Sequence, residues 1–134
     1  MGLGVLGLGL SACTQAGPGT AGQQSLMLPI AQAGPVETQK VLYHCAGPQA
    51  LLRFFPQGTV VVEYTNAGAI HLATLSVERK PLVFANVIVA SGAKYMADNF
   101  VWWTKGDTAL FTTQTQNPTE QLICEAQTNS KTQP

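Results

Sequence analysis

A chain of 134 residues with 46 % hydrophobic content suffices for one small domain with a modest core and falls short of two. Seven acidic residues balance seven basic ones and only 10 % of positions are charged. No basic face is then at hand to displace counterions from a nucleic-acid backbone, so DNA or RNA is not an expected partner.

Residues 1–12, MGLGVLGLGLSA, form an apolar run that ends in small residues. The run has the length of a signal-peptide core and is too short to cross a bilayer as a helix. It leads into Leu10-Ser11-Ala12-Cys13, which resembles the bacterial lipobox: small residues suit the signal peptidase, and the cysteine thiol takes a diacylglyceryl group. Cys13 would then be the lipidated N-terminus, anchoring the protein in the bacterial cell envelope, expected in the outer membrane and facing either the periplasm or the surface. The first basic residue is Lys40, so the positive flank of such a leader would lie upstream of Met1. Met1-Gly2 is not a myristoylation signal, because Leu6 stands where Ser or Thr is required.

Three cysteines leave an odd one in an exported chain, and lipid on Cys13 would free Cys45 and Cys124 to pair. Such a bridge would close a loop of roughly 80 residues and stabilise by about 4–5 kcal/mol on the chain-entropy account. The alternative, two buried free thiols, suits a reducing compartment. Residues 14–38 carry one charge, Glu37, and are rich in Gly, Pro, Gln and Ala, too poor in apolar surface to order themselves. With Cys13 they make a tether, residues 13–38, whose root-mean-square reach is roughly 25–30 Å. Within it the apolar patch LMLPI, 26–30, is the part suited to docking.

From Lys40 onward, β-branched and aromatic runs alternate with turn residues, and helical period is absent. The expected strands are KVLYHC (40–45), ALLRFF (50–55), TVVVEYT (59–65), AIHLATLSVE (69–78), LVFANVIVA (82–90), FVWWTK (100–105), TALFTTQ (108–114) and QLICEA (121–126). The breaks AGPQ, PQG, NAG, RKP, the segment through MADN, GD and NPTE supply the Gly, Pro, Asn and Asp that turns use. About eight antiparallel strands predict an all-β fold, either a small closed barrel without exposed edges or a sandwich. The domain is expected over 39–127, with 128–134, TNSKTQP, as a frayed tail.

In FVWWTK, alternation puts Phe100, Trp102 and Thr104 on one face and Val101, Trp103 and Lys105 on the other, so one tryptophan is expected outside the core. Lys105 stands immediately before Gly106-Asp107 and a new strand, hence at a hairpin tip. Ser91 precedes Gly92, which tolerates positive φ and presents no side chain to block a close approach.

Several catalytic patterns fail on physical grounds. Ser91-Gly-Ala-Lys94 matches S-x-x-K of the penicillin-binding proteins and serine β-lactamases, but that chemistry needs a helix, whereas a strand sends positions 91 and 94 to opposite faces. The carboxylates of Glu63, Glu78, Asp98, Asp107, Glu120 and Glu125 are scattered, with no spacing that marks an acid and base pair. His44 and His71 belong to no metal-spaced cluster, and no glycine loop precedes a helix to cradle phosphate. No metal, cofactor or enzymatic chemistry is expected.

Four pieces taken in order resemble one family, the bacterial inhibitors of c-type lysozyme in their membrane-bound lipoprotein and periplasmic forms (MliC/PliC). They are Tyr43-His-Cys45, ASGAKY at 90–95 matching S-G-x-x-Y, WTKGDTALF at 103–111 matching W-x-K-G-x-x-A-x-L, and Cys124. The resemblance covers roughly residues 41–126 and is weaker over 52–81. It implies a small antiparallel barrel stapled by one disulfide and a c-type lysozyme as protein partner. It also implies that Ser91 and Lys105 enter the lysozyme cleft and contact its catalytic carboxylates, with Gly92, Lys94, Tyr95, Thr104 and Gly106 as lesser candidates. The two loops should therefore be neighbours at one end of the barrel. The formally neutral charge implies an association that depends little on salt. Two alternatives remain on the same scaffold: a surface adhesin or interaction module, and a lipocalin-like carrier of apolar ligands.

Overall fold

The computed structural model describes residues 2, 4, 26–115 and 119–128. Cys13, nearly all of the leader, the first half of the tether and residues 129–134 lie outside the described residues. Eight strands follow in chain order: β1 (Val36–Ala46), β2 (Thr59–Ala67), β3 (Ile70–Val77), β4 (Lys80–Val87), β5 (Ala93–Ala97), β6 (Phe100–Lys105), β7 (Thr108–Thr113) and β8 (Leu122–Ala126). Each pairs antiparallel with the next, and β8 returns to β1, so the sheet closes into a barrel rather than a sandwich.

Period-two patterning aims the side chains. In β7 Ala109, Phe111 and Thr113 are buried between partly exposed neighbours, and in β8 Leu122 and Cys124 are buried beside exposed Ile123 and Glu125. The interior is filled by Trp102, Phe84, Phe111, Leu122 and Val62, all fully buried. Rings meet there edge to face: Phe55 and Phe111 lie 4.7 Å apart, and Tyr43 and Trp102 5.0 Å apart. A barrel packed in this way is a solid core, which argues against the carrier reading.

Cys45 and Cys124 face each other in the β1–β8 register and form a disulfide across a sequence separation of 79. The bridge staples the first strand to the last, at the seam where the barrel closes.

Two expectations about strands are corrected, and the corrections cancel in the count. ALLRFF is not a strand: Gln49–Leu52 forms a single helical turn, α1, behind Pro48, and further turns run on to Gly58. Its buried residues Leu51, Phe54 and Phe55 stand at i, i+3 and i+4, a helical spacing that alternation could not satisfy. Conversely AKYMA, expected inside a break, is β5. Alanine and lysine have low strand propensity, so this strand is specified by its partners β4 and β6 rather than by its own residues. Ordered structure also begins before residue 39: Ile30–Ala33 is a 3₁₀ turn, and β1 pairs from Val36 opposite Ala67.

An up-and-down meander puts alternate connections at opposite ends. The segment from Ala46 to Thr59, the Glu78-Arg79 turn and the Asp98-Asn99 turn fall at one end. There Leu51, Phe54 and Phe55 close the barrel like a plug, and the Glu78 N–H donates to the Phe54 carbonyl at 3.0 Å. Burying each such side chain contributes about 1.5–3 kcal/mol. The β4–β5 loop, 88–92, and the β6–β7 turn, Gly106-Asp107, fall at the other end.

Candidate functional site

The open end is built around the β6–β7 hairpin. Lys105 pairs with Thr108, leaving a two-residue turn whose first residue, Gly106, has φ 60°, as primed hairpin turns require. The turn is braced from β8: the Ala126 N–H donates to the Asp107 carbonyl at 2.8 Å, and the Thr108 hydroxyl donates to the Glu125 carboxylate at 3.1 Å. Lys105 thus leaves a fixed backbone, exposed to solvent and without an ion pair among the described residues.

The β4–β5 loop lies against this hairpin. Its continuing register brings Gly92 alongside Lys105, where φ is 69° and an added Cβ would collide with the Thr104 carbonyl oxygen and sit 3.1 Å from Lys105 Cγ. Only glycine permits that approach. Next to it the Thr104 hydroxyl donates to the Ala93 carbonyl at 3.2 Å, and Trp103 Nε1–H donates to the Ser91 carbonyl at 2.9 Å. Ser91 itself is exposed, and its hydroxyl has no partner among the described residues.

Of the sequence-predicted residues, Ser91, Gly92, Thr104, Lys105 and Gly106 come together at this end. Lys94 sits opposite Trp103 on the outer face, its Nζ 5.4 Å from the ring centre. Tyr95 turns inward, buried, with its ring 5.8 Å from that of Tyr64. It lines the mouth of the barrel rather than the outer surface.

That mouth is a shallow polar cavity of about 290 Å³ bordered by Gln39, Tyr43, Tyr64, Asn66, Tyr95 and Asp107. Tyr64 organises it: its hydroxyl accepts from Trp102 Nε1 at 2.9 Å and shares a 2.8 Å hydrogen bond with Tyr43. Burial pushes the Tyr43, Tyr64 and Tyr95 phenols above their ordinary value, with the Asp107 carboxylate adding to the rise at Tyr43. The phenols therefore stay neutral and hydrogen-bonding across the physiological range. Gln39, Tyr64 and Asn66 escaped the sequence reading because nothing local ties β1 and β2 to the loops they face. Trp103 carried a usable signal, since alternation set it on the same face as Lys105.

Similarity to known proteins points to one family. Residues 43–120 match the family described as membrane-bound lysozyme-inhibitor of c-type lysozyme. A Pseudomonas aeruginosa membrane-bound lysozyme inhibitor of C-type lysozyme is 40 % identical over 75 residues, covering 55 % of this chain and 52 % of the relative. A Cupriavidus necator protein of the same name is 30 % identical over 71 residues, covering 53 % and 50 %. The chain thus spans about half the length of the curated relatives it matches. The crystal structure of Pseudomonas aeruginosa MliC in complex with hen egg white lysozyme superposes with a TM-score of 0.59 at 32 % identity, covering 78 % of this chain and 95 % of that one. With a family match over more than half its length and the same barrel, the chain belongs to the family of membrane-bound inhibitors of c-type lysozyme.

Proposed function

We propose that this chain inhibits a c-type lysozyme by presenting Ser91 and Lys105 to the enzyme's active-site cleft, and that lipid on Cys13 and the tether that follows hold it at the cell envelope. The observation that carries the reading is the joint between the two loops: Gly92 rests against Thr104 and the Lys105 stem, and among the described residues the exposed Lys105 has no ion pair and the exposed Ser91 hydroxyl has no partner. Family membership and the lysozyme-bound structure of a relative support the choice of partner.

The chemistry fits the target. A retaining glycosidase such as lysozyme keeps its two catalytic carboxyl groups about 5–5.5 Å apart. An ammonium offers three donors and no acceptor, so one lysine can serve both groups, while a serine hydroxyl can donate or accept toward the protonated acid. Such a contact occupies the cleft and engages its acid and base, and this chain performs no reaction of its own. Peptidoglycan would be protected as a result. The adhesin alternative has no comparable observation behind it.

A turbidity assay tests the reading. Cell-wall lysis by a c-type lysozyme should slow in proportion to added full-length protein and stop near equimolar amounts. Undiminished lysis at a large stoichiometric excess rejects it.

A further inference from the structure

Trp103 is half-buried on the outside of the barrel, where the core makes no demand for so large a side chain. Its two polar features are both in use. The indole N–H donates to the Ser91 carbonyl at 2.9 Å, and the ring face lies 4.0 Å from Lys105 Nζ. One side chain therefore touches both loops of the candidate site, from a strand position directly opposite Lys94.

We propose that Trp103 is a positioning residue for inhibition, a strut that sets Ser91 and Lys105 relative to each other before lysozyme arrives. The inference rests on the inhibitor reading and adds a residue to it. A free lysine must surrender much of its rotamer freedom on binding. One already held over an indole by the ring's negative face surrenders less, and it keeps its charge. The hydrogen bond does the same for the Ser91 loop, which β5 pairs only from Ala93 onward. Gly92 completes the joint, because its missing side chain lets the loop rest against the Lys105 stem. The second cation, Lys94, lies farther from the ring at 5.4 Å, so the ring is shared unequally in favour of Lys105.

Two substitutions separate the two contacts. Trp103→Phe keeps an aromatic face and removes the N–H donor, and should weaken inhibition about 2–10-fold. Trp103→Leu removes both and should weaken it about 10–50-fold. In a Lys105→Ala background the Trp103→Leu effect should shrink to the several-fold part that acts through Ser91, as expected of residues acting through one another. Proton NMR of the free protein gives a readout that needs no lysozyme. The Lys105 side-chain methylene signals should be shifted upfield by the indole ring, should retain part of that shift in Trp103→Phe, and should return to ordinary values in Trp103→Leu. Upfield-shifted methylenes with full inhibition by Trp103→Leu overturn the positioning role, as does an undiminished Trp103→Leu effect in the Lys105→Ala background. Unshifted methylenes in the parent overturn the strut itself. If Lys105→Ala alone inhibits like the parent, the role given to Lys105 fails and the positioning role falls with it even where the NMR signature is present, whereas undiminished lysis at an excess of the parent rejects the inhibitor reading itself.

Discussion

The two ends of the barrel are built on different principles. One is sealed by apolar mass, with Leu51, Phe54 and Phe55 at helical spacing driven into the space between strands. The other is held by hydrogen bonds and close backbone approach: Asp107 to β8, Trp103 to the Ser91 loop, Gly92 against Thr104, and tyrosine hydroxyls in the mouth. Apolar packing at the plugged end supplies stability without demanding a particular outward shape. Directional contacts at the open end fix where a few polar groups point, which is what recognition of another protein's catalytic cleft requires. The division implies that stability and inhibition can be damaged separately.

The largest expected effect falls on neither end but on the seam between them. Replacing Cys45 and Cys124 with alanine should lower unfolding free energy by about 4–5 kcal/mol, read by denaturant titration against the parent. Next comes the plug: Leu51→Ala should cost about 2–5 kcal/mol of stability while leaving the inhibition constant unchanged at temperatures where the variant is folded. Gly92→Ala is the converse. It places an ordinary residue at positive φ against the Thr104 carbonyl, a strain of about 1–3 kcal/mol that the loop relieves by moving, so inhibition should fall more than the melting temperature does. If Leu51→Ala and Gly92→Ala affect inhibition and stability in the same proportion, the two ends are not separable.

The smallest effect is a pH dependence. Tyr43, Tyr64 and Tyr95 have folded pKa values raised above the unfolded value of 10.0 by burial. A raised value means that their contribution to stability is fully present below pH 10 and is lost as pH climbs toward the folded values. Thermal melts should therefore show no phenol-linked change between pH 7 and 9 and a decline above pH 10. Replacing Tyr64 with phenylalanine should flatten that decline.

Much of this was legible in the chain. Alternation in FVWWTK separated the buried Trp102 from the outer Trp103 and Lys105, and Gly106-Asp107 marked the hairpin tip, because both signals are local and periodic. The pairing of Cys45 with Cys124 was one of two readings of the thiols, the one that goes with lipid on Cys13, and the bridge is present in the barrel. What local pattern misassigned was set by tertiary partners. ALLRFF has the composition of a strand but packs as a helical turn because it fills a barrel end, and AKYMA has a weak composition but is a strand because β4 and β6 present free edges to it. The joint at Gly92 was only half visible. A small residue announced a close approach, but that the approach is to Thr104 and Lys105 depends on the register of β5 against β6.

The central claim is that Lys105 acts in another protein's catalytic site. Measuring the inhibition constant of Lys105→Ala against a c-type lysozyme tests it most directly. Truncating one partner of a desolvated charge pair should weaken inhibition by about 2–5 kcal/mol, with the melting temperature unmoved because the residue is exposed and free of ion pairs among the described residues. A folded Lys105→Ala variant that inhibits as strongly as the parent would contradict the account.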